Sequence, residues 1–231
     1  RWRRPARGHG EVEQRQLIKK EMEGEEEKHT PSKSVNADVV MKSPGISEQV
    51  AIVKALLELQ VPVLSEIEFA AQFTEANIVG ITGSNGKTTT TMMTHHILHQ
   101  AKLNVEMGGN IGDSFAGLIE KNPDHFVLEL SSFQLDGIRK FRPHIAVITN
   151  ITPDHLDRYD HKFENYIASK FRITMNQTKE DILIYDADDE VINTYIQTHY
   201  IQSTLMPISL TKILEQGTFL RQEEIIIKYK N

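Results

Sequence analysis

The chain has 231 residues, 39% hydrophobic and 25% charged, with a formal net charge of -6, which fits an ordinary globular protein with one sizeable core and a smaller second one. The negative balance excludes a broad electrostatic attraction to nucleic acid or an anionic membrane, so any phosphate must be held by a local site. The absence of cysteine excludes a disulfide framework and any thiolate metal site and fits a reducing compartment, read as cytoplasmic.

Residues 1–33 mix Arg1, Arg3, Arg4 and Arg7 with Glu25, Glu26 and Glu27 and have almost no apolar periodicity. No apolar run reaches the roughly 18–20 residues of a membrane span, and no apolar segment follows the basic start, so the chain is expected neither to span a membrane nor to be secreted. From Asn36 the pattern changes. Val39, Val40 and Met41 predict a short strand, Ser43-Pro44-Gly45 a turn, and residues 47–59 a helix with Val50, Val53, Leu56 and Leu57 on one face. Residues 61–64 read as a second strand leading into a helix that ends near Phe73.

Alternation then continues: strand 77–82, helix 86–100, strand 103–107, helix 113–121, strands 125–130 and 144–150, helix 163–176, strand 181–185 and helix 188–198. This order predicts an α/β fold with a mostly parallel sheet. Segments 205–209, 218–220 and 225–229 have no long helices between them and predict an antiparallel edge or hairpin. Internal repeats, low-complexity linkers and heptads are not apparent.

The strongest local signal is GITGSNGKTTTT at 80–91, an apolar strand running into a Gly-rich turn, Lys-Thr and a helix. That is the layout of a P-loop, in a shorter variant than G-x-x-x-x-G-K-[ST], because Ile81 stands five residues before Gly86. Gly83 and Gly86 allow positive φ and gather N–H groups around a phosphate, and the helix dipole points at the same anion. Lys87 would neutralise the β/γ-phosphates, and Thr88 would offer its hydroxyl to magnesium. A Gly-rich turn with an exposed lysine is the plainer alternative.

Asn110, Glu129 and His155 each fall at or just past the end of a predicted strand, the sheet edge where the P-loop also lies. Together they could converge beside the γ-phosphate. Singly, they read as a turn residue, a strand-end carboxylate and part of a cap. His95, His96 and His99 share helical spacing and read as a solvated helix face rather than a metal site.

The segments GITGSNGKTTTT at 80–91, GGNIG at 108–112, ELSSFQL at 129–135 and NITPDHLDRYD at 150–160 resemble the Mur ligases of bacterial peptidoglycan synthesis. ELSSFQL resembles the branch that adds D-glutamate to UDP-N-acetylmuramoyl-L-alanine. Members adding other residues, and the related folylpolyglutamate synthases, share the P-loop and histidine region but differ there. The resemblance covers about residues 36–231, with KSPGI at 42–46 and SEIEF at 65–69.

The resemblance implies a family of three domains. Residues 1–73 would be the end of a Rossmann-like uridine-nucleotide domain, with 1–13 open as non-native, and 74–231 an incomplete P-loop ATP domain; the D-glutamate domain would be missing. It implies ATP at Gly83, Ser84, Asn85, Gly86, Lys87, Thr88 and Thr89. Two magnesium ions would be held by Thr88, Glu129, His155 and a Lys170 carbamylated by CO2, whereas Lys170 read by residue type alone is an exposed helix charge. Lys87, Glu129, His155 and Lys170 would be catalytic, and Gly45, Asn110, Ser131 and Gln134 would contact the muramoyl substrate. The implied reaction runs through an acyl phosphate, in a cytoplasmic monomer without nucleic acid or membrane partners. The alternatives are a catalytically incomplete ATP-binding fragment, another Mur-type ligase or a folylpolyglutamate synthase, and a different P-loop NTPase such as a regulatory ATPase, against which ELSSFQL and NITPDHLD argue. Glu106, where relatives carry a small residue, could perturb the strand leading to Asn110 or do nothing.

Overall fold

The computed structural model describes residues 37–43, 46 and 50–229. The chain divides into two compact units, Arg1–Val40 with Ile46–Val63, and Met41–Gly45 with Leu64–Asn231. In the first, α1 (Ala51–Glu58) buries Val53 and Leu56, a spacing of three that places both on one stripe of the helix. A small two-stranded sheet of β1 (Val40–Lys42) and β2 (Val63–Ser65) has Val40 and Val63 in the first unit and its other residues in the second.

The second unit is built on one eight-stranded sheet. Its strands are β3 (Asn77–Thr82), β4 (Val105–Gly109), β5 (His125–Glu129), β6 (Ile145–Ile148), β7 (Ile182–Asp186), β8 (Thr204–Ser209), β9 (Gly217–Arg221) and β10 (Glu224–Lys228). They lie in the order β10-β9-β8-β7-β6-β3-β5-β4. Every neighbouring pair is parallel except β9 with β10, so the α/β class with a mostly parallel sheet holds. Only the last hairpin is antiparallel; β8 and β9 continue the parallel sheet. The seven-residue link 210–216 suffices because β8 and β9 pair at only two positions, Ile208 with Thr218 and Ser209 with Phe219, so the chain has little distance to return.

Side chains alternate across the sheet, as the pleat requires. Ile78, Phe126, Leu128, Ala146 and Ile148 face the main core. Helices α2 (Glu66–Ala70), α4 (Phe115–Leu118), α5 (Ser132–Asp136), α6 (Phe163–Phe171) and α7 (Glu190–Thr198) bring Ile67, Phe115, Leu135, Tyr166 and Ile192 to that side. Ile81, Val105 and Val127 face the opposite way and pack with Leu98 of α3 (Lys87–Gln100). The strand expected at 103–107 begins two residues later, and the helices expected over 113–121 and 163–176 end in 3-10 turns.

Helix α2 belongs to the sheet-bearing unit because of two carboxylates. Glu68 is buried and accepts the backbone N–H groups of Arg139, Lys140 and Phe141 at 2.8–3.0 Å. Glu66 accepts the Ala116 amide at 2.5 Å; burial raises its pKa, with the Ala116 bond pulling the other way. Among the described residues no helix is long and apolar enough to cross a membrane.

Candidate active site

Strand β3 lies between β5 and β6, so three loops leave the same edge of the sheet side by side. The register is close: Ile81 stands opposite Glu129, and Thr82 opposite Ile148. The first loop, after β3, is the Gly-rich turn. Gly83 has φ +144°, and a Cβ there would lie 2.0 Å from Thr149 Oγ1; no larger residue fits. Gly86, at φ +80°, caps α3.

The structure divides the loop's donors into two sets. Ser84 N–H donates to Asn150 O (2.8 Å) and Asn85 N–H to Asn150 Oδ1 (2.9 Å), while Ser84 Oγ donates to Thr152 O at 2.9 Å. These two amides, expected to surround a phosphate, are therefore held by the protein. The first turn of α3 remains: no side chain caps it, and first-turn N–H groups lack intrahelical acceptors and carry the positive end of the dipole. Lys87 turns back to place Nζ 2.9 Å from Ser84 O. Thr89 is exposed beside it.

Thr88 Oγ1 donates to Glu129 Oε2 at 2.7 Å, and Asn110 Nδ2 donates to Glu129 Oε1 at 2.8 Å. Glu129 is 2% exposed. Three residues separated by tens of positions in sequence thus meet on one carboxylate, whose partners are all neutral donors.

Lys170 corrects the reading by residue type, because its side chain is buried. It lies on the face of α6 that carries Phe163 and Tyr166. Its Nζ donates to Gly83 O at 2.7 Å and sits 4.5 Å over the Tyr166 ring. Burial, aided by the Lys87 charge and opposed by Asp154 and Asp136, brings its pKa down to about 7. Tyr166 in turn places its hydroxyl 3.2 Å from Ser84 Oγ.

His155 makes its contacts elsewhere. It follows β6 with φ 50°, its ring 5.3 Å from that of Phe133 and its Nε2 3.5 Å from Asp154 Oδ2. Ser131 and Gln134 form a capping box at the start of α5, and Gln134 is buried; its side chain serves the fold here. Gly45 lies outside the described residues. Along α3, His96 and His99 are exposed and His95 half-exposed. Glu106 leaves β4 intact and pairs with Lys121 at 2.9 Å on the surface. Sequence reasoning gave no role to Asn150 or Tyr166, although Asn150 opens the NITPDHLDRYD segment.

The fold and this edge define an α/β nucleotide-binding domain of the P-loop kind. Residues 81–213 match the family described as the Mur ligase middle domain, and the chain belongs to the Mur ligase family. It is 55% identical over 212 residues to the UDP-N-acetylmuramoylalanine--D-glutamate ligase of Christiangramia forsetii, covering 91% of this chain and 48% of that protein. To the enzyme of the same name from Bacteroides fragilis it is 49% identical over 206 residues, covering 88% and 46%. The chain thus spans about half the length of these relatives. In fold it is similar to the crystal structure of UDP-N-acetylmuramate:L-alanyl-gamma-D-glutamyl-meso-diaminopimelate ligase from Neisseria meningitides, with a TM-score of 0.58 at 16% identity, covering 83% of this chain and 65% of that one.

Proposed function

We propose that this chain carries the ATP site of a ligase joining D-glutamate to UDP-N-acetylmuramoyl-L-alanine in cytoplasmic peptidoglycan synthesis. The observation that carries the reading is the meeting of Thr88 and Asn110 on the buried Glu129 carboxylate, beside an uncapped helix N-terminus and Lys87. The names of the two D-glutamate ligases, at 55% and 49% identity, supply the substrates. We read residues 1–73 as part of the uridine-nucleotide domain and 74–231 as the ATP domain.

Each residue has a physical task in this reading. The amides of the first turn of α3 and the Lys87 ammonium meet the β/γ-phosphates, where charge builds during phosphoryl transfer. The hydroxyl of Thr88 and the carboxylate of Glu129 are the hard oxygen donors that magnesium selects, and they would hold it, with His155 and Lys170 serving a second ion. Magnesium would supply charge neutralisation on the phosphate oxygens. With its pKa lowered to about 7, Lys170 would offer a free amine near neutral pH. The amine lone pair would add to the carbon of CO2 with loss of a proton to give a carbamate, whose oxygens would serve the ion. Asn110, with Gly45, Ser131 and Gln134, would orient the muramoyl substrate. Its L-alanine carboxylate attacks the γ-phosphorus, ADP leaves, and the amine of D-glutamate displaces phosphate from the acyl phosphate to form the amide.

Calorimetry of Mg·ATP binding to the wild-type chain and to Lys87→Ala tests the site. The expected result is binding that weakens by a hundredfold or so in the variant, the scale of one lost charge-assisted contact to phosphate. Equal binding by both proteins, or none by the wild type, removes the reading.

A further inference from the structure

We propose that Asn150 is a positioning residue that locks the P-loop in its nucleotide-ready shape before the nucleotide arrives. The inference rests on the nucleotide-site reading above. Asn150 grips two consecutive loop residues at three points. Its Oδ1 accepts Asn85 N–H (2.9 Å), its Nδ2 donates to Asn85 O (2.9 Å), and its backbone carbonyl accepts Ser84 N–H (2.8 Å). The side-chain amide thus pairs with both polar groups of one residue, much as a neighbouring strand would.

Residues on either side reinforce the grip. Thr149 Oγ1 donates to Asn85 O at 2.7 Å, and Thr152 N donates to Ser84 Oγ at 2.9 Å. Gly83 is packed so tightly against Thr149 and Asn150 that no Cβ could be accommodated. A Gly-containing turn loses much conformational freedom when it is ordered, and ordering it in advance removes that cost from the binding step. The direction of the lock matters too. By turning the Ser84 and Asn85 amides toward the loop after β6, Asn150 leaves the amides of Gly86 and the first turn of α3 as the donors facing a phosphate. The same arrangement presents Ser84 O to Lys87 Nζ.

Amide hydrogen exchange, followed by NMR on the wild-type chain without nucleotide, is the first measurement. Asn85 N–H should be protected from the outset, whereas the amides of Gly86, Lys87 and Thr88 should become protected only on adding Mg·ADP. Calorimetry with Asn150→Ala should then show Mg·ADP affinity reduced by about tenfold or more, the scale of one or two lost hydrogen bonds, with the thermal midpoint of the free protein lowered by no more than the roughly 3–6 °C that the same lost bonds account for. Fast exchange at Asn85 in the wild type overturns the proposal, as does wild-type affinity in the variant, or an affinity loss matched by a large fall in the midpoint. If the variant does not fold, the wild-type exchange pattern decides. If the wild type binds no Mg·ADP, the nucleotide reading fails, and exchange at Asn85 still reports on the lock.

Discussion

Replacing Lys170 by Met should stabilise the free protein at neutral pH, and by an amount that depends on pH in a defined way. The Lys170 side chain is 2% exposed, and its pKa is lowered from 10.5 to about 7. At about 1.4 kcal/mol per tenfold change in equilibrium, the folded state disfavours the charged amine by on the order of 4 kcal/mol at pH 7. Methionine fills a similar volume without the charge. The lost bond to Gly83 O and the contact with the Tyr166 ring, each worth about 1 kcal/mol, offset part of the gain. A net stabilisation of roughly 1–3 kcal/mol is expected near pH 7. The sign with pH follows from the lowered folded value: between about 7 and 10.5 the unfolded chain binds one proton more than the folded one, so wild-type stability rises with pH in that window. The cost is fully present below about 7 and absent above 10.5. The advantage of Lys170→Met should therefore shrink by roughly 2 kcal/mol between pH 7 and pH 9. Urea denaturation of both proteins, in buffer stripped of CO2 so that no carbamate forms, gives the difference directly, because all other groups titrate in both. An advantage that stays constant or grows with pH refutes the reasoning.

Two further perturbations test the scaffold around the site. Glu68→Ala leaves the amides of Arg139, Lys140 and Phe141 without their acceptor. Bonds to a charged acceptor are worth about 1.5–3 kcal/mol each, but Arg139 and Lys140 are exposed and their amides can turn to water, so a loss of about 3–5 kcal/mol is expected in chemical denaturation. Asp188 is pushed up by burial but brought down to about 2 by the Thr211 and Ser209 hydroxyls and the Leu210 and Thr211 amides. Its folded value lies below the unfolded one, so its stabilisation is present above about pH 4 and is lost as pH falls toward 2. Asp188→Asn should be less stable than wild type at pH 7, and thermal melts should show the gap closing over that acid window; a gap unchanged at pH 2 would falsify the assignment.

Much of the site was legible because its chemistry is local. Gly83, Gly86, Lys87 and Thr88 sit in one short segment whose turn geometry and helix start can be read from residue types. Glu129 and Asn110 were legible as strand ends, since strand C-termini share an edge in a parallel sheet. The burial of Lys170 was less visible, because residue type favours exposure for lysine. The signal was nevertheless there: Phe163, Tyr166 and Ile167 followed by Lys170 fall at i, i+3, i+4 and i+7, which is the apolar stripe of a helix. Helix α5 is too short for periodicity, but Ser131-x-x-Gln134 is a capping-box spacing that marks its start. The direction of β9 could not be read from its own residues. Strand direction depends on how far the connection must travel, and the two-position overlap with β8 is a tertiary fact.

The level alignment of β3, β5 and β6 makes the sheet act as a ruler for the site. Glu129 stands opposite Ile81 and Gly109, and Thr82 opposite Ile148, so the three loops emerge at matching heights. Gaining or losing one residue within any of these strands would turn its side chains to the other face and carry Glu129 or Asn150 away from the P-loop. Substitutions leave that alignment in place. Chains of this kind can therefore drift far in sequence, as the 16% identity at a TM-score of 0.58 illustrates, whereas an added or deleted residue is expected to be tolerated only in turns such as 213–216, which hold no part of the site.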